Sequence, residues 1–133
     1  MTITLTVRDE TTAGETNAEF TLDFLTEETT VRELIRSRVY QEVKDFNTRR
    51  PELFRGLVQP TDSEKTLNGY RFRKARKQQV DWNEQYQRAL EAFQKSGFLI
   101  LIDDQQMTDL DETIVVGPKT VATFLKLIPL VGG

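Results

Sequence analysis

The 133-residue chain contains neither cysteine nor histidine. Without cysteine there can be no disulfide framework, no thiolate nucleophile and no cysteine-based zinc site. Without histidine the commonest general base and metal ligand is also missing. Ser-His-Asp and Cys-His catalytic units are therefore excluded. No apolar run approaches the roughly 18 residues that a membrane-spanning helix needs. The opening Met1-Thr-Ile-Thr-Leu-Thr-Val7 alternates polar and apolar residues, and lacks the basic start and continuous apolar segment of a signal peptide. A cytoplasmic location is expected. Internal repeats, low-complexity tracts, a glycine-rich phosphate loop and a metal-ligand cluster are all missing, so no cofactor or metal is expected. Carboxylates remain, but no acidic pair sits in a recognisable catalytic context. The chain reads as one that is acted upon, not as an enzyme.

What is present is the material of one ordinary domain, 38% hydrophobic and 29% charged. Ile3, Leu5 and Val7 alternate with polar residues, as do Phe20, Leu22 and Phe24. The period of two predicts two half-buried strands forming an N-terminal β-hairpin, with residues 9–15 as its turn. Thr30-Val-Arg-Glu33 has capping-box spacing, and Val31, Leu34, Ile35, Val39, Val43 and Phe46 follow on one helical stripe.

Residues 47–96 change character. Pro51 and Pro60 punctuate a polar stretch, and Thr61-Asp-Ser63 offers helix caps. Trp82, Tyr86, Ala89, Leu90 and Phe93 share a helical face, and Gly97 is a natural C′ stop. The segment is expected to be mainly helical. Beyond it, Phe98-Leu-Ile-Leu-Ile102 suits a central strand, residues 103–106 a hairpin turn, and Met107 a short return strand. Residues 109–117 begin irregularly. A last strand, about 120–128, leads through Pro129, Leu130 and Val131 to Gly132-Gly133. Glycines lack a Cβ, so a narrow channel can admit them, and a glycine carboxylate is unhindered toward adenylation.

The order of hairpin, helix, central strand, short hairpin and final strand ending in diglycine resembles ubiquitin and its relatives. The likeness is carried by residues 1–46 and 97–133, most clearly by Ile100-Leu-Ile102, Asp103-Asp-Gln-Gln-Met107, Leu110-Asp-Glu-Thr-Ile114 and Thr123-Phe-Leu-Lys-Leu-Ile-Pro-Leu-Val-Gly-Gly133. It implies an α+β, ubiquitin-like β-grasp. In that fold a mixed sheet wraps one helix, and the first and last strands pair in parallel at its middle. Here a mainly helical insertion, 47–96, would separate helix 1 from strand 3, giving a single domain with core 1–46 and 97–128 and a tail at 129–133.

The resemblance also implies a role. Gly133 would supply the carboxylate that an E1-like activating enzyme adenylates. An E2-like conjugating enzyme would pass it to amines on target proteins, and a deconjugating protease would complete the set. Gly132 would let the tail thread those sites, with Pro129, Leu130 and Val131 as the recognised approach. Ubiquitin alternates leucine with arginine there, so Ile128-Pro-Leu-Val131 points to a divergent, bacterial type of modifier with a dedicated partner. A β-grasp sulfur carrier with a C-terminal thiocarboxylate is one alternative, and a non-covalent protein or nucleic-acid binding module is another.

Two surfaces bear on partners. If Leu125 and Leu127 pack on the helix, Phe124 and Ile128 lie on the open sheet face as a partner surface. The competing reading is that the insertion covers this face as extra core. Arg71, Arg73, Lys74, Arg76 and Lys77 form a basic patch, and residues 47–96 carry eleven Lys/Arg against six Asp/Glu. No nucleic-acid motif accompanies the run, which reads as a solvated face rather than a nucleic-acid site.

Overall fold

The computed structural model describes residues 2–12, 16–66, 69–73 and 80–127, without the side chains of residues 16 and 17. The strands and helices in chain order are β1 (Ile3–Thr11), β2 (Thr16–Phe24), β3 (Glu28–Thr30), α1 (Val31–Arg49), β4 (Ser63–Thr66) and β5 (Gly69–Phe72). They continue with α2 (Trp82–Gln94), β6 (Phe98–Ile102), β7 (Gln105–Met107), β8 (Thr113–Val115) and β9 (Val121–Lys126). The described protein is thus α+β, with two helices and a mixed sheet of strand order β2-β1-β9-β6-β7. It divides into two units, residues 1–34 with 92–133, and residues 35–91. The division falls inside both helices.

The first unit holds the sheet. β1 and β2 pair antiparallel from Ile3↔Phe24 to Asp9↔Ala18, with a register shift between Asp9 and Glu10. The expected hairpin is present, but β1 continues through Thr11, so its connection is shorter than 9–15. β9 runs parallel to β1, from Thr6↔Val121 to Thr11↔Lys126, and antiparallel to β6. The sheet's central strand is therefore supplied by the far end of the sequence. Leu5, Val7, Leu22, Phe24, Phe98, Ile100, Met107, Ala122 and Phe124 are buried at alternating positions, as the pleat requires. The Phe98 ring lies 6.0 Å from Phe93 and 5.9 Å from Phe124, giving the core an aromatic spine.

Local chemistry fixes the element ends. Thr30 Oγ1 accepts the Glu33 amide at 3.2 Å, the N-cap bond expected from the sequence. The next orphan donors, Val31 N and Arg32 N, reach Glu112 O at 3.1 Å and Leu110 O at 2.9 Å. The 109–112 turn thereby caps α1, and β3 pairs antiparallel with β8 beside it. β6 turns into β7 through Asp103 and Asp104, both with positive φ (48° and 71°). Since Ile102 pairs with Gln105, this is a two-residue turn of the type whose twist suits a hairpin.

α2 ends differently from expectation. The left-handed C′ residue is Ser96 (φ 59°), one position before Gly97. Gly97 N donates to Ala92 O at 2.7 Å and Ser96 N to Phe93 O at 3.1 Å, the paired bonds of a Schellman motif. Gly97 eases a close approach, because a Cβ there would stand 3.2 Å from Ala92 O.

The second unit corrects the expectation of a mainly helical insertion. α1 ends at Arg49, and Arg50 (φ 47°) follows it in the left-handed region. The chain then forms an antiparallel hairpin, β4 with β5, to which Phe54 is bridged through Tyr70. Thr61-Asp-Ser63 caps no helix. Asp62 (φ 59°) turns the chain, Ser63 Oγ donates to Pro60 O at 2.6 Å, and Ser63 opens β4. The cap of α2 is Asp81, whose Oδ1 accepts the Asn83 amide at 2.9 Å. Packing is aromatic: Phe46 sits 5.2 Å from Phe54 and 5.7 Å from Phe72.

Candidate functional site

β9 is the element that leads toward the diglycine. It leaves the sheet at Lys126, and Leu127, the last residue described, is 43% exposed. Ile128, Pro129, Leu130, Val131, Gly132 and Gly133 lie outside the described residues. The description therefore ends with the last strand and Leu127, before the expected approach residues Pro129, Leu130 and Val131.

The face assignment of β9 is the reverse of the one expected. Phe124 is fully buried, so it cannot belong to an exposed partner surface. The cause is register. Ala122 aligns with Val7 and Phe124 with Ile100, and all four are core residues. Leu125 consequently points to the other side, with Leu99 directly opposite it on β6. Thr123, on that same side opposite Leu101, is also buried, shielded in the central strand by its longer neighbours.

The basic patch is described only in part. Arg71 is exposed on β5 and lies 3.8 Å from Glu52 Oε1, a long surface ion pair. Arg73 is exposed just beyond β5, its amide donating to Asp62 O at 2.9 Å. Lys74, Arg76 and Lys77 fall outside the described residues. Arg71 is thus partnered by the chain's own carboxylate, as a solvated face would be.

Sequence reading missed an aromatic groove in the second unit. It is open, about 360 Å³ in volume, and walled by Tyr40 and Trp82 over Val43, Asn47 and Val80. Tyr40 meets Trp82 edge-on at 5.7 Å, and the Arg36 guanidinium stands 5.4 Å from the Trp82 ring centre. The available signal was weak, since Tyr40 falls just off the apolar stripe of α1. Elsewhere on α1, Arg38 is 2% exposed and pairs with Glu42 at 3.3 Å, while Glu42 Oε1 accepts the Leu57 amide at 3.2 Å. Burial, and then the Glu42 charge, raise the Tyr70 hydroxyl pKa above its ordinary value. Among the described residues no group of three or more acidic side chains is placed to hold a metal ion. No helix among them is long and apolar enough to cross a membrane.

Comparison with protein-family models, with curated proteins and with solved structures finds no match to this chain.

Proposed function

We propose that this protein is a ubiquitin-like modifier whose Gly133 carboxylate is activated and joined to amines on target proteins. One observation carries the reading: β1 and β9 run parallel at the centre of a mixed sheet, between a long N-terminal hairpin partner and the short β6–β7 hairpin. That order supports a β-grasp, and it makes the strand nearest the diglycine the one most firmly held. The pairing of β9 on both sides and the uncharged sequence beyond Lys126 support a diglycine offered to a partner enzyme.

The chemistry belongs to partners. An E1-like enzyme joins the Gly133 carboxylate to the α-phosphate of ATP and releases pyrophosphate. A partner thiolate then displaces AMP to give a thioester, and the target amine displaces that thiolate to give an amide. An E2-like enzyme serves as the intermediate carrier, and a deconjugating protease reverses the bond. The reading requires a free carboxylate at Gly133 in the mature protein.

The test pairs the protein with its cognate E1-like enzyme and ATP, followed by intact mass. AMP release with an adduct at Gly133 is the expected result, abolished by deleting Gly132 and Gly133 while the circular dichroism spectrum is unchanged. Full biological activity of the truncated protein would sink the proposal. Exchange of one carboxylate oxygen for sulfur would instead reassign the protein as a sulfur carrier.

A further inference from the structure

Arg36, Tyr40 and Lys44 follow one another at a spacing of one turn along α1, so a cation stands on either side of the Tyr40 ring. Tyr40 meets Trp82 with 82° between the ring planes, which leaves two aromatic walls nearly at right angles. Val43 and Val80, both buried, line the space between them. The volume of about 360 Å³ falls in the range of small-ligand sites. Every residue lining it belongs to the unit formed by residues 35–91.

In this groove donors outnumber acceptors. Among the described residues, no hydrogen bond or ion pair engages the Tyr40 hydroxyl, the Lys44 ammonium, the Thr48 hydroxyl or the Trp82 indole N–H. The acceptors nearby are in use: Asn47 turns its amide to the Val80 backbone, and Asp81 Oδ1 accepts the Asn83 and Glu84 amides at 2.9 and 3.4 Å. The space therefore suits an apolar body that carries acceptors beside it. A nucleobase fits less well, because its own amino donors would lack partners. The surrounding charge agrees, since residues 35–91 carry thirteen Lys/Arg against eight Asp/Glu. Such a field attracts an acidic partner.

We infer that the Tyr40–Trp82 groove takes an aromatic side chain from an acidic segment of another protein. The ring stacks on one wall and meets the edge of the other, the two geometries that aromatic pairs favour. Carboxylates beside it in the segment accept from Lys44 on the α1 side, away from Asp81. The inference does not rest on the modifier reading.

Trp82 is the only tryptophan of the chain, so its emission reads the groove directly. The probe is a peptide with one phenylalanine flanked on both sides by aspartates, titrated against the full chain. A saturable change in Trp82 emission is expected, and it should weaken as salt is raised. Replacing the peptide's phenylalanine with alanine should weaken binding at least tenfold, and replacing its aspartates with lysines should abolish it. Lys44→Gln should weaken binding about two- to fivefold, the span of one exposed charge pair. Tyr40→Ala, at an exposed residue, should weaken it at least tenfold with the thermal melt little changed. No response to the peptide, or equal binding of its alanine form, would overturn the inference. Tighter binding of oligothymidylate in competition would overturn it in favour of a nucleic acid. Trp82 emission that changes on dilution without peptide would do so in favour of a second copy. Replacing residues 74–79 with glycine and serine should leave acrylamide quenching of Trp82 unchanged. A several-fold rise in quenching would overturn the inference in favour of the chain's own segment.

Discussion

Asn47 holds both polar groups of the Val80 backbone: its Nδ2 donates to Val80 O at 3.0 Å and its Oδ1 accepts from Val80 N at 2.9 Å. One side chain thus does the work of a strand neighbour for a buried residue that has none among the described residues. Asn47→Ala leaves both groups unpaired and is expected to cost about 2–3 kcal/mol by denaturant unfolding. Asn47→Asp keeps the size but cannot donate to Val80 O, so it should not rescue the loss. Rescue by aspartate would show that the pair is not what holds Val80.

The end of α2 gives two substitutions of opposite sign. Ser96 occupies the left-handed region at φ 59°, so Ser96→Gly should stabilise by about 0.5–1 kcal/mol. Gly97→Ala places a Cβ 3.2 Å from Ala92 O and should destabilise. Thermal melts of both variants check the assignment. If glycine were required for its φ at position 97, Ser96→Gly would gain nothing.

At the other cap, Thr30→Ala removes the acceptor for the Glu33 amide. A loss of about 1 kcal/mol is expected, and Thr30→Ser should retain most of the wild-type stability. Equal losses for alanine and serine would mean that the hydroxyl is not the stabilising group.

Alkaline titration reports on Tyr70. Burial, with the Glu42 charge second, raises its pKa, so it should ionise after ordinary tyrosines. The folded state then holds a proton that the unfolded chain has released. Stability is therefore fully present below the unfolded value of about 10 and falls as pH rises through the folded one. The ultraviolet tyrosinate titration of the three tyrosines should lose its latest step in Tyr70→Phe. Persistence of that step in the variant would assign it elsewhere.

The facing of β9 is open to the same kind of check. Phe124→Ala empties a fully buried site and should cost about 3–5 kcal/mol. Leu127→Ala, at a residue 43% exposed, should cost about 1 kcal/mol or less. The opposite ranking would restore the face assignment expected from sequence.

Elements whose signal is local were legible before the structure. The alternation of Ile3, Leu5 and Val7, the Thr30 cap and the apolar run at 98–102 each state their own conformation within a few residues. Phe124 was misplaced because Thr123-Phe-Leu-Lys-Leu127 offers apolar residues at both parities, and only pairing with β1 and β6 decides between them. The β4–β5 hairpin escaped because Ser63-Glu-Lys-Thr66 has no apolar alternation of its own. Its stability is borrowed from Phe46 and Phe54 stacking on the residues around it. The Asn47–Val80 clasp and the groove join residues more than thirty positions apart, which no spacing rule reports.

The parallel pairing of β1 with β9 also sets a schedule for synthesis. The β1–β2 hairpin emerges from the ribosome first and β6–β7 much later, yet each must wait for the strand that lies between them. Until residues 121–126 have cleared the exit tunnel, β1 and β6 each offer a bare inner edge to whatever else is nearby. Non-local pairing of this kind is slow to close. The nascent chain is therefore most exposed to mispairing, and most in need of a chaperone, in the interval just before its central strand arrives.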